Sequence, residues 1–406
     1  MQITQRLWVV SELYYPELTS TGYFITNLAE ALARDYTSRV VCGQPSYSAR
    51  GQRAPWREMR NGVDILRCRA TTFDKNKLPG RAMNLASASV SLFLRVILNI
   101  RRGDTVIAVT NPPVLPYLVV LACKLRGARF VLRVDDVYPE VLTRVGMLRP
   151  GTLAVRMMDR ASRWLYRHSD RILVLGRDMK RLIKKKLPED DPRVVLTASW
   201  GDTESIYPEP RTENSFLEKL NLSDKFVVQY CGNIGRTHGI EDIVEGAKRL
   251  LTEHDIHFLV VGWGAKKDWV LEQKELHGLE NLSVLPPFLA EEFRDGLNAC
   301  DLALISFAPG MGGVSVPSRM YNVLASGKPI LASCDDDSEL AEVVREEEIG
   351  WTVRPGDVDS FVKAIHCAKA DSAGLRIRGE RARSAAVSKY TMEHTVEQYR
   401  NALRNL

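Results

Sequence analysis

The 406-residue sequence lacks the features that mark secreted, disulfide-linked or metal-binding proteins. Its seven cysteines are scattered, odd in number and never in CxxC spacing, so we expect small core residues in a reducing compartment. The first residues have neither the long apolar run nor the small-residue cleavage site of a signal peptide. The seven histidines show no metal-ligand spacing, and no tract is of low complexity.

Long apolar runs are also scarce. The most apolar stretches, residues 86–100 and 113–125, are expected to be too short to span a bilayer, and Arg95 interrupts the first. The wider segment 83–102 is either an ordinary core helix or a helix resting on a bilayer. The basic helical face RLIKKKL, residues 181–187, is either solvated or membrane-facing.

Positive charge is concentrated in the first half of the chain. Up to Trp200 there are 33 Lys and Arg against 17 Asp and Glu, and beyond it 23 against 33. The halves therefore carry about +16 and about −10. A basic half predicts an anionic partner, which would be acidic lipid, phosphate or nucleic acid; the alternative is a solvated, Arg-rich surface.

Strand-like and helix-like runs alternate along the chain, which is longer than one core usually supports. Strands such as DTVIAVT are apolar throughout, which predicts parallel sheets with helices on both faces. The pattern restarts after the polar segment WGDTESIYPEP. We predict an α/β protein with two Rossmann-like, doubly wound domains, residues 1–200 and 201–388, facing a central cleft. A C-terminal helix over 389–406 could cross back to the first domain.

Two glycine-containing strand-to-helix junctions are candidates for anion binding. Gly22 is predicted just before a helix, where a ligand could approach the backbone, although plain turn chemistry is the alternative. CGNIGRTHG opens the second domain with a phosphate-loop pattern, in which Arg236 and His238 could meet a diphosphate. Its glycine spacing differs from the dinucleotide fingerprint, and an ordinary glycine turn with an exposed Arg explains it equally well.

A third segment, GMGGVSVPSRMYNVLASGKPI, combines a glycine loop with a helix start near Ser318. Loop amides and the helix N-terminus could hold a phosphate without a metal. Arg319 has the wrong sign for the helix dipole, which favours a bound anion beside it, and Asn322 suits a ribose diol. The run from Asp335 to Asp337 is either a metal cluster or, as we prefer, a solvated turn.

Together SWGDTESIYP, CGNIGRTHG, VPSRMYNVLASGKPI and GWTVRPGDVDSFVKAI resemble the retaining GT-B glycosyltransferases of family 4. The similarity covers nearly the whole chain. YYPE near the start and VDDVYPE, residues 134–140, are similar to bacterial O-antigen and exopolysaccharide transferases, including those of the L-fucosamine (FucNAc) type.

The resemblance implies roles for particular residues. The catalytic residues would be Arg236, Arg319, Asp135 and Asp136. The donor-binding residues would be Gly22, Gly232, Asn233, Gly235, His238, Gly262, Gly313, Ser315, Val316, Pro317, Ser318 and Asn322. The acceptor-binding residues would be Tyr15, Glu17 and Thr21.

The sequence also departs from the family pattern. The family's Arg and Lys around the opening glycine loop are replaced by Asn233 and His238, so Arg236 or Arg319 must supply the charge. Its paired glutamates would fall at Val314 and Asn322, neither of which is acidic. A His often found at the end of the fourth strand of the first domain is Asp135 here.

The implied reaction moves a sugar, an N-acetylated or deoxy amino sugar, from a UDP-sugar to an undecaprenyl-diphosphate-linked saccharide, with retention and without metal or cofactor. The basic first domain would attach the enzyme peripherally to the cytoplasmic face of an anionic membrane. Two alternatives remain: a UDP-sugar 2-epimerase or other enzyme of the same fold, and a non-catalytic nucleic-acid- or anion-binding protein. The sequence contains no groove-reading motif for nucleic acid.

Overall fold

The computed structural model describes residues 5–17, 19–46, 51–73, 78–188, 190–404 and 406, without the side chains of Leu78 and Arg81. The chain divides into two compact units. Unit 1 contains residues 1–139, 150–198 and 395–406, and unit 2 contains residues 140–149 and 199–394. The break after Ala198 lies close to the predicted boundary, whereas nothing in the sequence indicated that residues 140–149 belong with the later half.

Unit 1 is built on an eight-stranded sheet with the order β3-β4-β2-β1-β5-β6-β7-β8. Its strands are β1 (Arg6–Val10), β2 (Thr37–Gly43), β3 (Arg57–Arg60), β4 (Val63–Cys68), β5 (Thr105–Val109), β6 (Arg129–Val134), β7 (Arg171–Val174) and β8 (Val194–Leu196). Neighbouring strands are parallel except for β3 and β4. The central strand β5 is buried along its whole length, as expected for a strand covered on both faces.

The sequence does contain a signal for the antiparallel strand β3, although the alternation of strands and helices predicted parallel strands. Asn61 and Gly62 both have positive φ, 45° and 82°, between β3 and β4. Two such residues form the type I′ turn that favours tight hairpins, and Asn-Gly is its strongest sequence marker. The hairpin therefore adds an edge strand to an otherwise parallel sheet.

Helices cover the unit 1 sheet. They are α1 (Ser20–Leu32), α2 (Leu78–Asn99), α3 (Leu115–Arg126), α5 (Leu153–Arg167) and α6 (Arg177–Lys184), joined by most of α15 (Met392–Arg404), while α4 (Glu140–Arg144) belongs to unit 2. The predicted C-terminal helix is present as α15, and its residues from Thr395 onward pack in unit 1. Tyr399 is fully buried there, which anchors the helix.

Helix α2 is longer than its apolar core suggested. It has 22 residues, so the expectation that this stretch is too short to span a membrane is wrong. In the described part of the chain, only its segment Ala82–Asn99 has the length and composition of a membrane-spanning helix, and 28% of that segment is buried. Ala88, Leu92 and Val96 face the protein core, so the helix also serves as an ordinary covering helix of the sheet.

Unit 2 contains a six-stranded parallel sheet with the order β11-β10-β9-β12-β13-β14. Its strands are β9 (Phe226–Cys231), β10 (Ile256–Val261), β11 (Leu282–Leu285), β12 (Leu302–Ser306), β13 (Ile330–Ser333) and β14 (Gly350–Val353). Its remaining helices are α7 (Ser215–Lys219), α8 (Ile240–Arg249), α9 (Lys267–His277), α10 (Phe293–Asn298), α11 (Arg319–Ala325), α12 (Glu339–Glu346), α13 (Val358–Ala370) and α14 (Ser372–Lys389), with 3-10 turns at Arg211–Glu213 and Ala290–Glu292. Phe258 and Phe361 lie in its core, so the glycine loops start from rigid strands.

Candidate functional site

Two glycine loops meet at the carboxyl ends of β9 and β10, backbone against backbone. Gly232 and Gly262 have φ of 144° and 148°, a region that side chains rarely allow. A Cβ on Gly262 would lie 1.9 Å from the carbonyl oxygen of Gly232. One on Gly264 would lie 2.2 Å from the carbonyl oxygen of Ile234. Glycine is therefore required here by close packing between the two loops.

The conformation of the first loop is fixed by hydrogen bonds. The Tyr230 hydroxyl donates to the carbonyl oxygen of Asn233 over 2.6 Å. The amide of Ile234 donates to the carbonyl oxygen of Trp263 over 2.6 Å. Gly235 is buried, whereas the side chain of Asn233 is exposed. This loop is thus preformed, with Asn233 at its surface.

Arg319, the first residue of α11, lies over this loop. Its guanidinium carbon is 4.6 Å from the ring centroid of Tyr230. A Cβ on Gly232 would approach the same guanidinium to 2.9 Å. Its Nη2 atom is 2.6 Å from Nε2 of His238. The predicted residues Gly232 and His238, from the loop between β9 and α8, are therefore brought together with Arg319 from the start of α11.

His238 accepts from this arginine as a neutral imidazole. Burial lowers the pKa of His238 well below its ordinary value, and the positive charges of Arg319 and Lys266 lower it further. Its Nδ1 atom lies 3.2 Å from the Thr237 hydroxyl, and its ring stacks on Phe307 with centroids 5.5 Å apart. His238 thus orients Arg319 and carries no charge of its own.

The other terminal nitrogen of Arg319, Nη1, is buried and has no hydrogen-bond acceptor within the described residues. A buried charged donor without a partner is costly, so an anion at this position would be strongly favoured. An oxygen of a phosphate group has the charge and the lone pairs that such a donor needs.

A second cation near the loop was missed by the sequence reading. Lys266 follows β10, and its Nζ atom donates to the carbonyl oxygen of His238 over 2.9 Å and pairs with Glu241 at 2.7 Å. Lys266 thus brings a positive charge to the backbone of the loop at His238. The signal available was the pair Lys266-Lys267, which stands one residue after the GWG run, residues 262–264, that follows a buried strand.

The segment before α11 differs from expectation in two respects. The carboxylate of Asp335 accepts from the amides of Gly310 and Gly312 at 3.0 and 2.7 Å, so those amides are committed to shaping the loop. Helix α11 has only seven residues, which weakens the dipole argument for a phosphate at its start. Asp335 is therefore a positioning residue of the glycine loop.

The remaining donor residues of this segment lie around the start of α11. Gly313, Val316 and Pro317 are buried, Ser315 is half-buried, and Ser318 is the residue preceding the helix. Asn322 has a structural partner that the sequence did not indicate: its side-chain oxygen accepts from the amide of Asp202 over 3.2 Å. Asn322 thus holds the segment after the unit boundary, and its contact with a ribose stays a prediction.

Two predicted phosphate contacts are placed differently by the structure. Arg236 is exposed, in contrast to Arg319. Gly22 is not before α1 but inside its first turn, and its amide donates to the Thr19 hydroxyl. A Cβ on Gly22 would lie 2.6 Å from the carbonyl oxygen of Glu17, so tight turn packing accounts for this glycine.

The two aspartates lie at the carboxyl end of β6 in unit 1. The Asp135 Oδ1 atom accepts from Nε of Arg133 over 2.9 Å, and Nη1 of Arg133 donates to the Tyr399 hydroxyl over 2.8 Å. Oδ2 of Asp135 is buried and has no hydrogen-bond donor among the described residues. The amides of Asp135 and Asp136 both donate to the Thr110 hydroxyl. Asp135 is therefore held rigidly with one oxygen still to be satisfied.

The residues assigned to the acceptor have structural contacts in unit 1. Glu17 is buried, and its carboxylate accepts from the amide of Ser46. Tyr15 is covered by the guanidinium of Arg60, 3.8 Å from its ring centroid. Thr21 is half-buried in the first turn of α1. Glu17 thus fastens a loop, and only parts of Tyr15 and Thr21 remain accessible.

Over the described ranges, no group of three or more His, Cys, Asp and Glu has the geometry to hold a metal ion. The acidic run from Asp335 is accounted for by other partners. Asp335 binds the glycine loop, and Asp336 pairs with Arg354 at 2.7 Å. Paired turn residues, and not a metal cluster, explain this run.

Comparison with known proteins decides the family. A model described as glycosyl transferases group 1 matches residues 225–371, and a glycosyl transferase 4-like domain matches residues 21–199. A protein of Pseudomonas aeruginosa named probable glycosyltransferase WbjE is 32% identical over 364 residues, which cover 89% of this chain and 88% of the relative. The chain belongs to the glycosyltransferases.

Two further similarities describe this glycosyltransferase. A putative colanic acid biosynthesis glycosyl transferase, WcaI of Escherichia coli, is 25% identical, with 87% of this chain and 89% of the relative covered. HepE of Anabaena, solved with UDP and glucose, superposes with a TM-score of 0.75 at 13% identity over 99% of this chain and 100% of that one. The predicted GT-B class, with two parallel-sheet α/β domains, is confirmed.

Proposed function

We propose that this glycosyltransferase moves a sugar from a UDP-sugar to a lipid-linked saccharide during synthesis of a bacterial surface polysaccharide. The observation that carries the donor assignment is the buried, unpartnered Nη1 atom of Arg319 above the glycine loops. The complex of HepE with UDP supports the choice of nucleotide. The similarity to WcaI, a putative transferase of colanic acid biosynthesis, supports the polysaccharide context.

The reaction develops negative charge on the leaving diphosphate as the bond between sugar and phosphate breaks. Arg319 stabilises that charge from a preorganised position, and the exposed Arg236 swings onto the same oxygens when the donor binds. Each such contact lowers the barrier by about 2–4 kcal/mol. The anomeric configuration is retained, as the resemblance to family 4 implies.

Asp135 binds a hydroxyl of the donor sugar or of the acceptor through its unsatisfied Oδ2 atom. A substrate hydroxyl would donate to Oδ2 as Arg133 donates to Oδ1, so both oxygens of the carboxylate would then have a donor. Asp136, anchored through Thr110 beside it, is the second candidate for this contact. Transfer needs no metal ion, which an assay with and without EDTA tests directly.

The donor is tested by thermal stabilisation with UDP, GDP and dTDP. A bound nucleotide at a hundred times its Kd stabilises the folded protein by about 2.7 kcal/mol. We expect UDP to raise the melting temperature most, and the UDP-linked N-acetylated amino sugars to act as donors. If no sugar nucleotide shifts the transition, the proposal is wrong. Incubation with donor alone separates the epimerase, which would convert it without an acceptor.

Membrane attachment is proposed to use an apolar stripe on α2. Val90, Leu94 and Leu98 are 51%, 51% and 76% exposed, one helical turn apart. Exposed Arg95 and the arginines at 101 and 102 flank the stripe. Apolar side chains bordered by cations suit a helix lying in an anionic lipid interface. The basic face over 181–187 contributes less, because Lys186 is buried and pairs with Asp159 at 3.1 Å.

If α2 attaches the enzyme, the protein should be recovered in the membrane fraction, bound to the cytoplasmic face of the bilayer. The double variant Leu94→Glu and Leu98→Glu should release it into the soluble fraction. Leu276→Glu on α9, where the leucine is 69% exposed in unit 2, is the matched control and should leave the distribution unchanged. Equal release of both variants would contradict attachment through α2.

A further inference from the structure

A large cavity lies wholly within unit 1, and none of the residues assigned above to catalysis or donor binding lines it. It has a volume of about 790 Å³ and is walled by the carboxyl ends of β2 and β4 and by the first turns of α2. That volume is typical of ligand-binding pockets. The carboxyl ends of parallel strands are also where ligands bind in such sheets. The predicted acceptor residues Tyr15, Glu17 and Thr21 do not line it.

Two amide side chains hold the irregular walls of this cavity in place. Gln44 donates to the carbonyl oxygen of Ala54 over 3.0 Å and accepts from its amide over 3.2 Å. Asn84 does the same for Phe73, with both distances 2.9 Å. Each side-chain amide thus makes the two backbone hydrogen bonds that a neighbouring strand would otherwise make. The concavity is therefore preorganised before any ligand enters.

The lining combines aromatic rings and cations. Trp56 and Phe73 are each 47% exposed, although large apolar side chains usually avoid water. Arg53 and Arg69 also line the cavity, and Glu12 is the one acidic residue among the described residues of its wall. The Arg69 guanidinium carbon lies 5.0 Å from the ring centroid of Trp56. An apolar platform thus stands directly beside a positive charge.

We infer that this cavity binds the acceptor, and that the acceptor is an anionic saccharide. A pyranose ring presents an apolar face that packs on an aromatic ring, and its hydroxyls match the amides and hydroxyls of the walls. A phosphate or a carboxylate matches the two guanidinium groups. The inference rests on the proposed transferase function, and it replaces the residues first assigned to the acceptor.

The negative charge can have two sources, which calorimetry with three probes distinguishes. The probes are citronellyl diphosphate-linked N-acetylglucosamine, citronellyl glucuronide and the uncharged citronellyl N-acetylglucosaminide. Tighter binding of the first identifies a diphosphate, and tighter binding of the second identifies a sugar carboxylate. Either result supports the inference if the Kd of the charged probe is about tenfold lower than the Kd of the uncharged probe. Equal affinities, or no binding of any probe, overturn it.

Variants then locate the site. Trp56→Ala, Phe73→Ala and the double variant Arg53→Gln with Arg69→Gln should each raise the Kd of the charged probe about tenfold. The control is Arg34→Gln with Arg129→Gln, which removes the same charge from exposed positions of unit 1 away from the cavity. UDP binding should be unchanged in all of them and reports folding. Unchanged probe affinity in the cavity variants overturns the inference, whereas a wild type that binds no nucleotide overturns the proposed function instead.

Discussion

The Nη2 atom of Arg319 lies 2.6 Å from Nε2 of His238. A guanidinium group can only donate, so the imidazole accepts at Nε2 and carries its proton on Nδ1, toward the Thr237 hydroxyl. His238 therefore turns the guanidinium so that Nη1 remains for another acceptor. The pair makes His238 a positioning residue for Arg319.

Replacing Arg319 should abolish most of the activity. Arg319→Ala removes the donor expected to meet the leaving phosphate, so we expect kcat to fall about 10²–10³-fold. The protein should still fold, with a moderately lower melting temperature, because the variant also loses the bond to His238 and the contact with the Tyr230 ring. Arg376→Ala is the control, since that arginine only pairs with Glu380 on an exposed helix face. Equal turnover in both variants would remove Arg319 from the mechanism.

The neutral state of His238 predicts the shape of a pH profile. Because burial and neighbouring cations hold the pKa of His238 well below its ordinary value, it stays neutral at and above pH 6.5. We expect kcat/KM to show no step near pH 6.5 that depends on this residue. His238→Gln keeps an acceptor for Arg319 and should give a parallel profile. An ionisation near pH 6.5 that disappears in His238→Gln would contradict this assignment.

The sequence predicted the sheets and the glycine loops but not which atoms face the site. Apolar strands indicate burial along one segment, so both domains and the glycine loop that begins at Gly232 follow from local patterns. The structural partners of Asn322 and Glu17, which are Asp202 and Ser46, could not be predicted because they come from distant segments. Periodicity does not reveal a contact between segments, and the cavity beside Trp56 was invisible for the same reason.

The two glycine loops should not tolerate a methyl group. Gly262→Ala would force a Cβ to within 1.9 Å of the Gly232 carbonyl oxygen and strain a φ of 148°, so we expect a loss of about 3 kcal/mol or more and weaker UDP binding. Gly278→Ala is the matched control, because its φ is also positive but no atom lies within 4 Å of the new Cβ. It should cost only about 1–2 kcal/mol. Thermal and urea unfolding measure both.

The C-terminal helix should help to position Asp135 because its Tyr399 hydroxyl holds Arg133, which bonds Asp135. Tyr399→Phe removes the acceptor for Nη1 of the buried Arg133 and leaves that donor unsatisfied, at a cost of about 1–3 kcal/mol. The melting temperature should fall by about 2–10 °C. Tyr207→Phe removes a tyrosine–arginine bond to Arg294 at an exposed position and should change it little. Equal shifts in the two variants would show that burial of Arg133 does not matter.

A buried histidine should make unit 2 sensitive to mild acid. Burial, and then the charges of Lys274 and Lys225, lower the pKa of His257 to about 4. In the unfolded chain His257 binds a proton near pH 6.5, whereas in the folded protein it stays neutral down to about pH 4. Its contribution to the free energy of unfolding is therefore fully present above pH 6.5 and is lost as the pH falls toward about 4. His257→Gln should lose less stability than the wild type between pH 7 and pH 4.5 in urea titrations, because Gln can keep the contact with Ser283 without binding a proton. His394→Gln, at an exposed position, controls for histidine content. A wild type and a His257→Gln variant with identical slopes in this window would mean that His257 is protonated in the folded state.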